Sequence, residues 1–79
     1  MKINILAFGI VKEIFGSSVI EVELADANVD ALKRLLEEKY PRLKQLASYM
    51  VAVNNEYAQK EQVIKTRDEL AIIPPVSGG

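Results

Sequence analysis

The stretch "DELAIIPPVSGG", residues 68–79, decides the fold because it places an apolar strand directly before a narrow end of the chain. Residues 69–73 contain the run "LAII", which is typical of a strand buried within a sheet. Pro74-Pro75 follows, and its φ angles are fixed before any partner binds. The last two residues, Gly78 and Gly79, have no Cβ, so they could pass through a narrow slot in a partner that would exclude a side chain. We therefore expect the last strand to direct the end of the chain away from the body of the domain.

A first strand is predicted from "KINILAF", residues 2–8, because its side chains alternate between the two faces of an extended chain. One face has Ile3, Ile5 and Ala7, and the other has Asn4, Leu6 and Phe8. The pattern predicts a strand that is buried on much of both faces. Since the first and last strands are both apolar, we expect both to be central in the sheet and to run parallel to each other.

The clearest element is a helix in "NVDALKRLLEEKY", residues 28–40. Five of its side chains recur at the three-and-four spacing of one buried stripe, namely Val29, Leu32, Leu35, Leu36 and Tyr40. Asn28 is the expected N-cap. Pro41 ends the helix, because the residue before a proline is disfavoured in the α conformation.

The remaining segments complete an α+β pattern. In chain order we expect a helical turn over residues 10–15, a strand near the sheet edge over residues 19–24, a short helix within residues 42–49, a strand over residues 50–53, a turn at Asn54-Asn55 and a turn over residues 66–68. This order predicts a β-grasp fold, in which a mixed sheet wraps around one main helix. We expect a domain over residues 1–75 and a flexible tail over residues 76–79.

Composition limits the chemistry that the side chains can supply. The 79 residues are 49% apolar and 27% charged, with a net charge of −1, which predicts one folded domain. Positive and negative charges are interspersed, so we expect no nucleic acid and no membrane as partner. No apolar run approaches the roughly 20 residues that span a bilayer, and the start "MKINILAF" lacks the features of a signal peptide, so we expect a cytoplasmic location. The chain has no cysteine and no histidine. Thiolate metal sites and the usual general base are therefore excluded, and we expect no bound cofactor or metal.

Several motifs together resemble those of the MoaD and ThiS family of small sulfur carriers, which belongs to the ubiquitin-like group. They are "VKEIFG" at residues 11–16, "KYPRL" at 39–43, "VAVNNEY" at 51–57, "DELAIIPPV" at 68–76 and the final "SGG". The resemblance covers nearly the whole chain and implies the ubiquitin-like β-grasp fold. One departure lies in "TRDE", where Arg67 occupies the place of a glycine that is usual in the family.

The resemblance implies that the carboxylate of Gly79 is the reactive group. A MoeB-like E1 enzyme would adenylate it with ATP and magnesium, and a sulfur donor would convert the adenylate into a thiocarboxylate. A MoaE-like large subunit, in a heterotetramer of two small and two large subunits, would use this sulfur on the cyclic pyranopterin precursor of the molybdenum cofactor. The chain itself would be the sulfur-donor subunit, with no side-chain catalysis of its own.

The resemblance also implies which residues meet the partners. Pro74, Pro75, Val76, Ser77 and Gly78 would thread into the partner's site. Phe8, Lys12, Tyr57 and Ile73 would contact the large subunit. Taken singly, Phe8, Tyr57 and Ile73 also fit an ordinary core, and Lys12 also fits a solvated surface.

Three functions remain open from the sequence. The first is a sulfur carrier for molybdopterin. The second is a ThiS-like sulfur carrier for thiazole synthesis, although the ending "PPVSGG" argues against it. The third is a ubiquitin-like protein modifier that is conjugated to lysines through Gly79, since an activated glycyl end suits either reaction.

Overall fold

The structure is a computed structural model that describes residues 1–46 and 48–75. Its strands are β1 (Lys2–Ala7), β2 (Val19–Glu23), β3 (Met50–Val53), β4 (Glu56–Tyr57) and β5 (Leu70–Ile73), and its α-helices are α1 (Ile10–Phe15) and α2 (Val29–Lys39). A 3₁₀ helix over Pro41–Gln45 replaces the short helix predicted after Pro41. The predicted element order is confirmed, and no helix in the described ranges is long and apolar enough to cross a membrane.

The sheet is built around a parallel pair of strands. Its five strands lie in the order β2-β1-β5-β3-β4. β1 and β5 are parallel, with Ile5 opposite Leu70 and Ala7 opposite Ile72, and the other neighbouring pairs are antiparallel. The predicted parallel pairing of the two chain ends is therefore confirmed. So is the edge position of the second strand.

α2 covers one face of this sheet. Its N-cap is Asn28, whose side-chain Oδ1 accepts a hydrogen bond of 2.8 Å from the backbone N–H of Ala31. Val29, Leu32 and Leu36 are fully buried and join the inward side chains of the strands in one core, while Leu35 and Tyr40 pack at its margin. The predicted apolar stripe is confirmed, and it holds the sheet against a single long helix.

The prediction that the first strand is buried on much of both faces is wrong for its outward face. Its inward side chains, Ile3, Ile5 and Ala7, are buried, but Asn4 and Phe8 are exposed and Leu6 is only half-buried. The buried residues of α1 and α2 belong to the same core as the inward side chains, so both helices cover the same face. The outward face of the sheet is left open in the part of the chain that the structure describes.

Two linked turns hold the start of β5. Asn54 and Asn55 form the two-residue loop between β3 and β4 with φ angles of 53° and 70°, as a type I′ turn requires. The Asn54 side chain donates to Asp68 Oδ1 at 3.0 Å and accepts from the backbone N–H of Glu69 at 2.9 Å. Arg67 is not among the described non-glycine residues with positive φ, so this turn does not need the glycine that is usual in the family.

Asp68 makes this region sensitive to acid. Hydrogen bonds from the backbone N–H of Lys65 and from the Asn54 side chain lower the pKa of its carboxyl below the ordinary value of 3.8. A lowered folded-state pKa means that the ionised carboxylate stabilises the fold above the unfolded pKa, and that this stabilisation is lost as the pH falls through the folded pKa.

We therefore expect Asp68→Asn to lower the free energy of unfolding at pH 7 and to lose this effect in acid. The difference from the wild type should shrink as the pH falls from about 4 towards 2, because both chains then have a neutral side chain at this position. Urea unfolding at a series of pH values measures it. A difference that stays constant over this range would contradict the assignment.

Candidate functional site: the open sheet face and the base of the tail

A row of apolar side chains crosses the outward face of the sheet. Residues opposite one another on paired strands point to the same face, so the strand registers define the row. Leu6 lies opposite Val19 on one side and Ala71 on the other, Ala71 lies opposite Ala52, and Ala52 lies opposite Tyr57. The row therefore extends from one edge strand to the other.

A shallow pocket lies along this row because its middle residues are small. Ala71 and Ala52 are flanked by larger side chains, and the depression has a volume of about 280 Å³. We call it the sheet-face pocket, and it is lined by Leu6, Phe8, Ala52, Asn55, Tyr57, Glu69, Ala71 and Ile73. Six of these eight residues are apolar or aromatic, which suits an apolar side chain of a partner protein.

Three of the four residues predicted to contact a partner meet at this pocket. Phe8 is 50% exposed, Tyr57 is 64% exposed and Ile73 is half-buried at the rim. Phe8 and Tyr57 are therefore not core residues, which removes the core alternative for both. Lys12 is exposed on α1 and does not line the pocket, so its predicted role in binding stays a prediction.

The base of the tail adjoins the pocket. Ile73, the last residue of β5, lines the pocket, and Pro74 and Pro75 continue from it and are partly buried. The base of the tail therefore follows directly after a residue of the pocket rim. The predicted tail residues Val76, Ser77, Gly78 and Gly79 lie outside the described residues, and their roles, like the boundary at residue 75, stay predictions.

Comparison with known proteins assigns the chain to a family. The sequence profile of the ThiS family matches residues 5–79. This chain belongs to the ThiS family. It is 42% identical to the molybdopterin synthase sulfur carrier subunit of Dictyostelium discoideum, over 99% of this chain and 96% of that protein. The family resemblance inferred from the sequence is therefore confirmed.

Solved structures related to this ThiS-family chain have the same fold. The crystal structure of SAMP1 from Haloferax volcanii matches with a TM-score of 0.82 and 28% identity, over 100% of both chains. A chain in the protein–protein complex of subunits 1 and 2 of molybdopterin-converting factor from Helicobacter pylori matches with a TM-score of 0.71 over 100% of both chains, and at 24% identity it shows the fold alone. The predicted α+β, ubiquitin-like β-grasp fold is confirmed.

The shifted pKa values in this ThiS-family chain belong to structural contacts. Burial, followed by the hydrogen bond to Glu37 and the charge of that carboxylate, raises the pKa of the Tyr49 hydroxyl. The other shifted group in the described part of the chain is Asp68, and neither residue lines the sheet-face pocket. Among the described residues there is also no cluster of three or more acidic side chains, histidines or cysteines that could hold a metal ion.

Sequence reasoning missed the residues between the predicted contacts. The alternation in the first strand predicts a buried Leu6, and nothing in the sequence analysis points to Ala52 and Ala71, which line the middle of the pocket. The available signal was the alternation along β5 and β3, which puts Ala71 and Ala52 on the face opposite to the buried Leu70, Ile72, Val51 and Val53. Alternation assigns both alanines to one face, and the depression forms because the strand register places them side by side.

Proposed function

We propose that this chain is the sulfur carrier subunit of a molybdopterin synthase and that the carboxylate of Gly79 carries the sulfur. The observation that carries the proposal is the continuity of the open apolar pocket with the base of the tail at Ile73 and Pro74, in a ThiS-family chain. Relatives with the name molybdopterin synthase sulfur carrier subunit match at 42% and 36% identity over essentially the full length of this chain, which favours molybdopterin over thiazole as the product served.

Loading of Gly79 requires activation by a partner enzyme. A C-terminal carboxyl has an ordinary pKa of about 3.3–3.7 and is an anion at neutral pH, so it resists attack by a nucleophile. A MoeB-like E1 enzyme with ATP and magnesium would form the glycyl adenylate, releasing pyrophosphate. A donor of sulfide-level sulfur would then attack the carbonyl carbon and release AMP, which leaves the thiocarboxylate on Gly79.

The use of this sulfur requires a second partner. A MoaE-like large subunit, two of which would assemble with two carriers, would bind the cyclic pyranopterin precursor and supply the acid and base groups. The carrier contributes the docking face and the reach of its tail. Residues 76–79 can extend by at most about 13–14 Å at 3.3–3.6 Å per residue, which lets the end enter a recessed site while the body stays outside.

The sheet-face pocket is the proposed contact with the large subunit, and charge substitutions test it. Phe8→Glu and Tyr57→Glu place a carboxylate in an apolar interface, where burial of an unpaired charge is unfavourable. Each should raise the Kd for the large subunit at least about 30-fold, the effect expected for a residue that contributes 2 kcal/mol or more. Isothermal titration calorimetry measures the Kd.

Val63→Glu is the matched control for this experiment. Val63 is 63% exposed, close to the 64% of Tyr57, and it does not line the pocket. Its substitution should leave the Kd within a factor of about 2, as expected for a surface residue away from the interface. All three variants should unfold cooperatively in urea. An unchanged Kd for both Phe8→Glu and Tyr57→Glu would refute the proposed contact.

Sulfur loading at Gly79 is tested by intact-protein mass. After incubation with the activating enzyme, ATP and sulfide, the chain should gain the mass difference between one sulfur and one oxygen, and the gain should lie in the C-terminal peptide. Deletion of Gly79, or addition of one residue after it, should abolish the gain, because one residue shifts the end by more than about 3 Å and about 1 Å already costs roughly 100-fold in rate. Loading of the extended chain would contradict the proposal.

A protein modifier is the second candidate function. The likeness to SAMP1, which is named a small archaeal modifier protein, favours it at 28% identity and a TM-score of 0.82. An activated Gly79 would then be attacked by a lysine amine, with release of AMP and formation of an isopeptide bond. Mass spectrometry of digested cell lysates distinguishes the two functions, because only conjugation leaves a C-terminal fragment of this chain on the lysines of other proteins.

A further inference from the structure

Gly9 and Pro74 lie next to each other where the two central strands end. The parallel register places Ala7 opposite Ile72, and two further residues along each strand lead to Gly9 and Pro74. A Cβ atom added to Gly9 would lie 3.1 Å from Cγ of Pro74. This is tighter than an ordinary van der Waals contact, so the proline ring would have to move by a few tenths of an ångström.

The backbone at Gly9 is held in place by hydrogen bonds from α1. Its φ of 55° and ψ of −131° lie in a region that glycine adopts far more readily than other residues, and they turn the chain from β1 into the helix. The backbone N–H of Val11 donates to the carbonyl of Phe8, and that of Lys12 donates to the carbonyl of Gly9, both at 3.1 Å. The Gly9 backbone is thus fixed to α1 on one side and to β1 on the other.

Pro74 packs against the Gly9 backbone and limits the directions that the following chain can take. Its ring fixes φ, and it has no N–H with which to continue the β1–β5 ladder. The strand pairing ends at this point, and the partly buried ring lies against the turn at Gly9. Pro75 follows with its own fixed φ, so a displacement of the Pro74 ring is passed on to the chain beyond it.

We propose that Gly9 is a positioning residue for sulfur loading. The absence of a side chain at this position lets Pro74 lie against the β1–α1 turn, and that contact sets the direction in which the chain leaves the sheet after Pro75. The inference rests on the proposed function, in which Gly79 is the loaded residue. A side chain at position 9 would misalign the reactive carbon.

The test is steady-state loading of the chain by the activating enzyme with ATP and sulfide. Gly9→Ala should lower kcat on the order of tenfold, since about 1 Å of misplacement costs roughly 100-fold, and it should leave KM unchanged because the body still docks. Gly16→Ala is the control. Gly16 also has a positive φ, of 78°, but a Cβ there would meet nothing within 4 Å, so its kcat should equal that of the wild type.

Pro74→Ala tests the same contact from the other side and leaves the backbone of Gly9 unstrained. It should lower kcat at constant KM, and it carries the test if Gly9→Ala does not fold. The double variant of Gly9→Ala and Pro74→Ala should have a kcat no lower than that of the more impaired single variant. Such non-additivity is expected when two residues act through one contact.

Four results would overturn the inference. They are a wild-type kcat in both folded single variants, an effect confined to KM, an equal loss of kcat in Gly16→Ala, and a double variant whose loss is the product of the two single losses. A wild-type chain that gains no sulfur would overturn the proposed function and this inference together. A loaded wild type with normal Gly9→Ala and Pro74→Ala variants would overturn the inference alone.

Discussion

The parallel pairing of β1 and β5 is the interaction on which the rest of the structure depends. It brings the first and last strands of the chain together, and the side chains of Ile5, Leu70 and Ile72 at this pair are completely buried. β2 and β3 attach to the two outer sides of the pair. The direction of β5 relative to β1 also decides that Pro74 emerges beside Gly9, at the same end of the sheet as Phe8. The positions of the core, the open face and the base of the tail thus all follow from the register of the β1–β5 pair.

Burial on one side of this sheet separates stability from docking. The helices share their core with the inward side chains, so truncation of an inward residue such as Leu70 to alanine would cost about 2–5 kcal/mol of stability. The outward row contributes less to folding because residues such as Phe8 and Tyr57 stay largely in water. This division leaves the outward face free to carry an interface, and Ala71 and Ala52 give that face a depression for a partner side chain.

The spacing of apolar residues correctly predicted the helices and strands that have one side buried in the core. The α2 stripe from Val29 to Leu36 and the parallel pairing of the first and last strands follow from spacing and apolarity alone. The exposure of Phe8 did not follow, because an apolar strand residue looks the same in sequence whether the fold or a partner covers it. The bounds of β4 could not be predicted either, because its two residues, Glu56 and Tyr57, are too few to show alternation.

The remaining features depend on contacts between distant parts of the chain. The pocket requires Ala71 and Ala52 to be in register, and the approach of Pro74 to Gly9 requires the exact offset between β1 and β5. Neither strand register can be predicted from the residue pattern of one segment alone. Gly78 and Gly79 were inferred from the resemblance of motifs. That resemblance identifies a reactive chain end, but it does not describe the surface of the folded domain that positions this end.

The central claim is that the helix-free face of the β1–β5 pair docks the large subunit and so presents the tail. The most direct measurement is a methyl NMR titration of the labelled chain with that subunit. The account predicts that the methyl signals of Leu6, Ala71 and Ile73 shift or broaden on binding, while that of Val63, exposed elsewhere on the surface, stays unchanged. Changes at Val63 with unperturbed signals from Leu6, Ala71 and Ile73 would contradict it.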